Sequence, residues 1–168
     1  AEDESGDARR FTEELAQKAQ ALGVRFQFNT AVTGFEQDGG RLTAVVTAAG
    51  RQPADVFVIA AGPWSPQLLK TLGVKLPVRP VKGYSITVPM TANGVMPRMA
   101  VADDTRHVAM TPMDGHLRVA GTAEFAGYDL SLTPGRIENL KQVVAEIFPG
   151  HAPGPAVEVN AWAGLRPY

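Results

Sequence analysis

Val56-Phe57-Val58-Ile59-Ala60-Ala61-Gly62-Pro63-Trp64-Ser65 is the stretch on which the reading of this chain turns. An apolar run that stops on Ala-Ala-Gly and passes at once into a helix start has the form of a buried strand in an open α/β sheet. Small residues at that turn let the backbone come close to a dinucleotide. A sheet of this kind opens with a Gly-x-Gly-x-x-Gly turn after its first strand, and none of the 168 residues forms that pattern. The expectation is a piece of a larger enzyme, carrying the substrate side without the part that grips a pyrophosphate.

Composition bounds the function classes. At 45% hydrophobic and 20% charged residues, the chain is material for one domain, or one and a fraction, and is long enough to bury a core. A net charge of -1, with the charges scattered, gives no basic stripe, so nucleic acid is not an expected partner. The absence of cysteine excludes disulfides, Cys-ligated zinc, iron–sulfur clusters and thiol catalysis together, and it fits a cytoplasmic setting. The longest apolar run, Val56 to Ala61, is far too short to span a bilayer, and no signal-peptide pattern opens the chain. The start at Ala1 and the finish at Gly164-Leu165-Arg166-Pro167-Tyr168 read as interruptions of a longer sequence.

Periodicity places the elements. Phe11, Leu15, Ala19 and Leu22 recur at helical spacing from about Asp7 to Leu22, with Gly23 as the cap. Val24 to Asn29 alternates as a half-buried strand. A meander follows through Val32–Gln37, a turn at Asp38-Gly39-Gly40, Leu42–Ala48, a turn near Gly50, and the buried run Val56–Ala61. Ser65 as N-cap, Pro66 at the first position and Leu68, Leu69 and Leu72 predict a short helix ended by Gly73. Val78–Pro89 reads as a strand with a glycine inside it. Arg106–Thr111 and Leu117–Thr122 flank Asp114-Gly115, a strong hairpin signal. Thr133 and Pro134 start a helix with the stripe Ile137, Leu140, Val144 and Ile147, stopped by Pro149-Gly150. His151 to Pro155 is a loop, and Ala156–Trp162 a last strand.

Taken together, these segments resemble the FAD-dependent D-amino-acid oxidase superfamily, most closely its bacterial dehydrogenase branch. The likeness runs through Asp3-Glu4-Ser5-Gly6-Asp7, Gly23 to Thr30, the strand ending Ala61-Gly62, Val78 to Ser85 and Trp162-Ala163-Gly164-Leu165-Arg166-Pro167. The blocks keep the family's order and spacing across essentially the whole chain. The family's N-terminal FAD fingerprint and C-terminal Gly-rich segment fall outside it. The resemblance implies FAD in the intact protein, not held by this chain alone, and a small D-amino acid as substrate. It leaves a membrane quinone chain (with the protein peripheral at a bacterial inner membrane) or oxygen as electron acceptor.

It also assigns roles residue by residue. Arg166 resembles the clamp on the substrate α-carboxylate, which a planar guanidinium can grip with two hydrogen bonds. The alternative is an arginine paired with an internal acid. Lys82 and Tyr84, two apart on one strand face around Gly83, fall on the strand that the family sets beside flavin and substrate; an ordinary sheet strand is the other reading. Val32 resembles the position whose backbone meets the adenine, and Ala60, Ala61 and Gly62 the segment passing the diphosphate and ribose. Trp64 covers that turn or belongs to the core. His107, His116 and His151 have no metal-ligand spacing, so no metal site is expected, and His116 and His151 are expected to face solvent. Asp103-Asp104 reads as a solvated turn. Met90, Met96, Met99, Met110 and Met113 read as core filler or a pliable pocket lining.

The expected fold is α+β. Residues 1–62 are a remnant of an FAD-binding α/β domain, and 63–160 a substrate lobe on a mainly antiparallel sheet with packed helices. Residues 161–168 return toward the first domain. The implied activity is oxidative deamination of D-amino acids. The alternatives are a non-catalytic substrate-lobe module, or another amine oxidase of the superfamily acting on glycine or sarcosine.

Overall fold

A computed structural model describes residues 6–90, 97–151, 153 and 159–168. The block Asp3-Glu4-Ser5, Met96, most of the loop from Ala152 to Pro155, and the expected strand start at Ala156 lie outside them. The fold is α+β, with antiparallel sheets and three helices. The chain forms two compact units, Glu14–Pro80 with Pro167–Tyr168, and Val81–Arg166 with the N-terminal residues to Glu13. These do not coincide with the division at residues 62 and 160. Among the described residues no helix is long and apolar enough to cross a membrane.

Helix α1 (Ala8–Ala21) begins where Asp7 accepts the amides of Arg9 (2.9 Å) and Arg10 (3.2 Å), the N-cap arrangement that satisfies the first free N–H groups. Its apolar stripe forms as expected but buries nothing: Phe11, Leu15 and Leu22 are exposed.

In the first unit, β1 (Val32–Asp38), β2 (Arg41–Thr47) and β3 (Gly50–Pro53) form an antiparallel meander in that order. The tight turn between β1 and β2 uses Gly39 and Gly40 at φ 56° and 81°, where a side chain would be strained. Two expected strands do not form. Residues 24–29 and 56–61 pair with no strand among the described residues. Val56 and Val58 stand 78% and 85% exposed while Phe57 and Ile59 are half-buried. The alternation is that of a strand; without a partner ladder, however, the run is neither a strand nor buried. Phe26 and Phe28 stack on each other at 5.5 Å.

Helix α2 (Ser65–Lys70) also corrects a detail. A 3₁₀ turn over Gly62–Trp64 starts the winding early, so Trp64 is the cap and Ser65 lies buried inside the first turn without capping.

In the second unit, β4 (Pro80–Pro89), β5 (Val101–Asp103), β6 (Val108–Met113), β7 (His116–Glu124) and β8 (Asn160–Pro167) make a sheet in the order β5-β6-β7-β4-β8. Helix α3 (Pro134–Ile147) contributes Leu140, Val143 and Val144 to a core shared with Ile86, Val88, Met110, Leu117 and Val119. Met110 is core, while Met99 is exposed. His151, expected in solvent, is buried at 2% because a 3₁₀ turn over Pro149–His151 folds it inward.

Asp114 and Gly115 link β6 to β7 at φ 45° and 76°, the two positive values of a type I′ turn. Gly115→Val should cost on the order of 1 kcal/mol, and an unchanged melting curve would refute that. Gly121 is constrained by packing instead. A Cβ there would lie 2.9 Å from Val108 Cγ2 and 3.2 Å from both the His107 carbonyl and Leu140 Cδ2. Gly121→Ala should therefore destabilise by about 1–3 kcal/mol, which a calorimetric melt will register as a shift of roughly 2–4 °C per kcal/mol.

Candidate functional site

The sheet of the second unit is irregular at one place. Lys82 pairs with Glu124 and Tyr84 with Gly121, so Gly83 of β4 faces two residues of β7, Thr122 and Ala123. This is a β-bulge. Thr122 sits at φ 71°, a region a β-branched residue rarely occupies, at a cost of roughly 1–3 kcal/mol.

Beneath the bulge lies a closed polar network. Lys82, 1% exposed, donates to Asp129 Oδ2 at 2.9 Å and to the Ser131 carbonyl at 3.0 Å, with Glu124 Oε2 at 3.4 Å. Those contacts engage the three protons of an ammonium. The Tyr84 phenol, 2% exposed, donates to Glu124 Oε2 at 2.5 Å and lies 3.0 Å from the Thr133 hydroxyl. Thr133 is the N-cap residue of α3 by backbone geometry, yet its side chain serves Tyr84 instead of the helix. Arg136 stands 4.0 Å from Glu124 Oε1. The structure thus brings the expected pair together, with both heads turned into the protein.

The network shifts its members' acidities. The Tyr84 hydroxyl, then Asp129, hold the Lys82 ammonium above its ordinary 10.5 against the cost of burial. The Tyr84 hydrogen bond, helped by Lys82, lowers Glu124 below 4.5. Asp129 is held well below 3.8, first by the Ser131 side chain and backbone amide and then by Lys82. A lowered carboxylate adds stability above its ordinary value and loses it as pH falls through the depressed one. A raised lysine adds stability below 10.5 and loses it only as pH rises beyond. The network's contribution should therefore be level across neutral pH and fall away below about pH 4.5. Urea midpoints followed from pH 7 to pH 3 should drop less steeply in Glu124→Gln than in the parent chain. Equal slopes would remove Glu124 from the network.

On the other side of the same sheet lie three side chains of different character. Ala161 and Ala163 of β8 pack toward the core, so alternation puts Trp162, Gly164 and Arg166 on the opposite face. Arg166 is exposed and donates from Nη2 to the carbonyl of the strained Thr122 at 3.3 Å. Arg118 of β7 lies 6.0 Å from the Trp162 ring and 3.5 Å from Ser85 Oγ. Among the described residues no carboxylate approaches either guanidinium within 4.0 Å.

The first unit holds the residues expected on the cofactor side. Val32 edges an open cleft of about 390 Å³, lined also by Arg25, Gln27, Thr30, Thr47 and Gln52. Ala60 is exposed, Ala61 is partly so, and Gly62 has φ 53° with nothing within 4 Å of where a Cβ would stand. That backbone is open to close approach.

The fold and these residues define a class: the chain belongs to the DAO family of FAD dependent oxidoreductases, which it matches over residues 2–168. It is 45% identical over 166 residues to the D-amino acid dehydrogenase of Bradyrhizobium diazoefficiens, covering 99% of this chain and 39% of that protein. The D-amino acid dehydrogenase of Chromohalobacter salexigens is 44% identical over 167 residues, with the same coverage. The chain thus spans about two fifths of the length of these relatives. Glycine oxidase from Bacillus cereus superposes with a TM-score of 0.79 at 25% identity, over 95% of this chain and 43% of that one. L-proline dehydrogenase from P. horikoshii shares the fold, with a TM-score of 0.79 at 22% identity over 94% and 42%.

FAD is the group this family implies, and the residues fit it at its margins. The open backbone at Ala60–Gly62 and the cleft beside Val32 can take contacts along a dinucleotide. The Gly-x-Gly-x-x-Gly turn that holds a pyrophosphate against a helix N-terminus does not occur among these residues.

Sequence reasoning missed Thr122, Arg118, Glu124 and Asp129. Only Asp129 carried a local signal: Asp-x-Ser closes a turn by side-chain acceptance of the amide two residues on, here at 2.9 Å. Among the described residues no three His, Asp or Glu side chains gather as a metal site.

Proposed function

We propose that this chain is the substrate-binding part of an FAD-dependent dehydrogenase that oxidatively deaminates D-amino acids to 2-oxo acids and ammonia. The observation that carries the proposal is Arg166: an exposed guanidinium with no carboxylate within 4.0 Å among the described residues, held by a backbone carbonyl at a strained bulge. The 45% identity to a D-amino acid dehydrogenase supports the substrate class.

In this reading Arg166 grips the α-carboxylate, and residues 81–166 form the substrate lobe. Lys82 and Tyr84 belong to the site as positioning residues, fixing β7 so that Thr122 presents its carbonyl to Arg166. Val32, Ala60, Ala61 and Gly62 contribute backbone contacts to FAD. When bound, FAD would supply the hydride acceptor for oxidation at the α-carbon, and the imino acid product would hydrolyse in water. The dehydrogenase relatives favour an acceptor other than oxygen, such as a quinone chain at a bacterial inner membrane.

The test uses the protein at the length of its relatives, with an artificial electron-accepting dye and D-alanine, L-alanine or glycine. Dye reduction with D-alanine and not with its enantiomer is expected. Turnover confined to glycine would replace this reading with a glycine-oxidising one, and no turnover of any amino acid would overturn it. The 168-residue chain alone is expected not to bind FAD tightly, because it lacks the phosphate-holding turn; a sub-micromolar complex by titration calorimetry would contradict that.

A further inference from the structure

Arg118 is the cation on this sheet that the proposed reaction leaves unused. It shares a face with Arg166, since its guanidinium packs against Trp162 and the Trp162 ring covers Gly164, two residues before Arg166 on the same strand. A Cβ on Gly164 would run into that ring, so the glycine is what lets the indole lie flat on the sheet. The two guanidiniums are anchored by uncharged oxygens, Ser85 Oγ at 3.5 Å and the Thr122 carbonyl at 3.3 Å. Ser85 pairs with Ala120 on β7, the strand that also carries Thr122, so both anchoring oxygens belong to the β4–β7 pair. Two permanent cations on one face repel each other, and among the described residues nothing of opposite charge sits within 4.0 Å of either. An anion that touches both relieves that repulsion; one that touches only Arg166 does not.

We propose that Arg118 is a second carboxylate contact, so that this face selects amino acids carrying a second acidic group. The α-carboxylate lies on Arg166 and the distal carboxylate on Arg118. This rests on the reading of Arg166 given above. Each carboxylate would sit about 2.7–2.9 Å from its guanidinium nitrogens, as in an acidic amino acid such as glutamate. The methylenes between the two groups lie along the indole of Trp162, which is 57% exposed and offers an apolar wall. Arg118 thereby acts as a specificity residue rather than as a participant in bond breaking.

The test is a titration of the ¹⁵N-labelled 168-residue chain with D-glutamate and with D-alanine at equal ionic strength. Arginine Nε–Hε resonances and tryptophan fluorescence are followed. D-Glutamate should move the resonances of both Arg118 and Arg166, change the Trp162 emission, and bind roughly ten- to a hundred-fold more tightly than D-alanine. Arg118→Gln should erase the difference between the two ligands. Arg118→Lys, which keeps the charge and the packing stem, should narrow it. If both ligands move Arg166 alike while Arg118 stays still, the Arg166 reading stands and this inference fails. If neither ligand moves Arg166, both fail together. A preference for D-glutamate that survives Arg118→Gln also overturns the assignment.

Discussion

Lys82→Met is expected to be among the most damaging single changes in the second unit, and to weaken its response to acid. The ammonium is 1% exposed and holds Asp129, Glu124 and the Ser131 carbonyl around it. Methionine fills the volume but leaves two partly buried carboxylates facing an apolar side chain, a far worse state than the paired one. In the parent chain both carboxylates are held below their ordinary values, so acid weakens the network. Without the lysine both carboxylates are held down less, now chiefly by Ser131 and Tyr84, and protonation relieves their mutual repulsion. The variant should therefore gain stability relative to the parent as pH falls from 7 toward 4. Denaturant midpoints over that range decide: a parallel displacement of the two curves would mean Lys82 contributes packing and not charge. A double-mutant cycle with Asp129→Asn should show strong coupling, because the pair lies 2.9 Å apart.

That network marks the limit of what could be read from the residues alone. Helix α3 was legible because its signals are local: Thr133 and Pro134 at the start, and a stripe ending before Pro149. The Asp114-Gly115 turn was legible for the same reason, since few residues tolerate two successive positive φ values. A strand is different, because it exists only with a partner. Val24–Asn29 and Val56–Ala61 have the alternation of strands and lack the ladder among the described residues, so pattern alone overcalled them. Ser65 was misplaced by one residue because the preceding Gly62–Trp64 already winds as 3₁₀ helix. Thr122 was invisible for a stronger reason. Threonine favours regular strand backbone, and its positive φ is imposed from outside, by Lys82 pairing with Glu124 while Tyr84 pairs with Gly121. Arg166 and the pair Lys82 and Tyr84 stand out in the sequence as candidates. The direction those two face was not legible, because it depends on acids far along the chain.

The largest kinetic effect is expected from Arg166→Lys, assayed at the length of the dehydrogenase relatives. Lysine keeps the charge but loses the planar fork, so a two-point grip on a carboxylate becomes a single mobile contact. It also gives up the geometry in which Nη2 is held by the Thr122 carbonyl. A contact made in ground and transition states alike should raise KM, and misorientation of the α-carbon should lower kcat as well. The expected loss in kcat/KM is on the order of 2–4 kcal/mol, or roughly thirty- to a thousand-fold. A purely structural arginine predicts something else: less folded protein, with near-normal kinetics in what remains. The two are separated by comparing a D-amino acid with the matching amine that lacks the carboxylate. An arginine that touches the carboxylate costs activity on the acid and little on the amine. Equal losses on both would remove Arg166 from the substrate site, leaving its exposed position beside a strained carbonyl without a role in recognition.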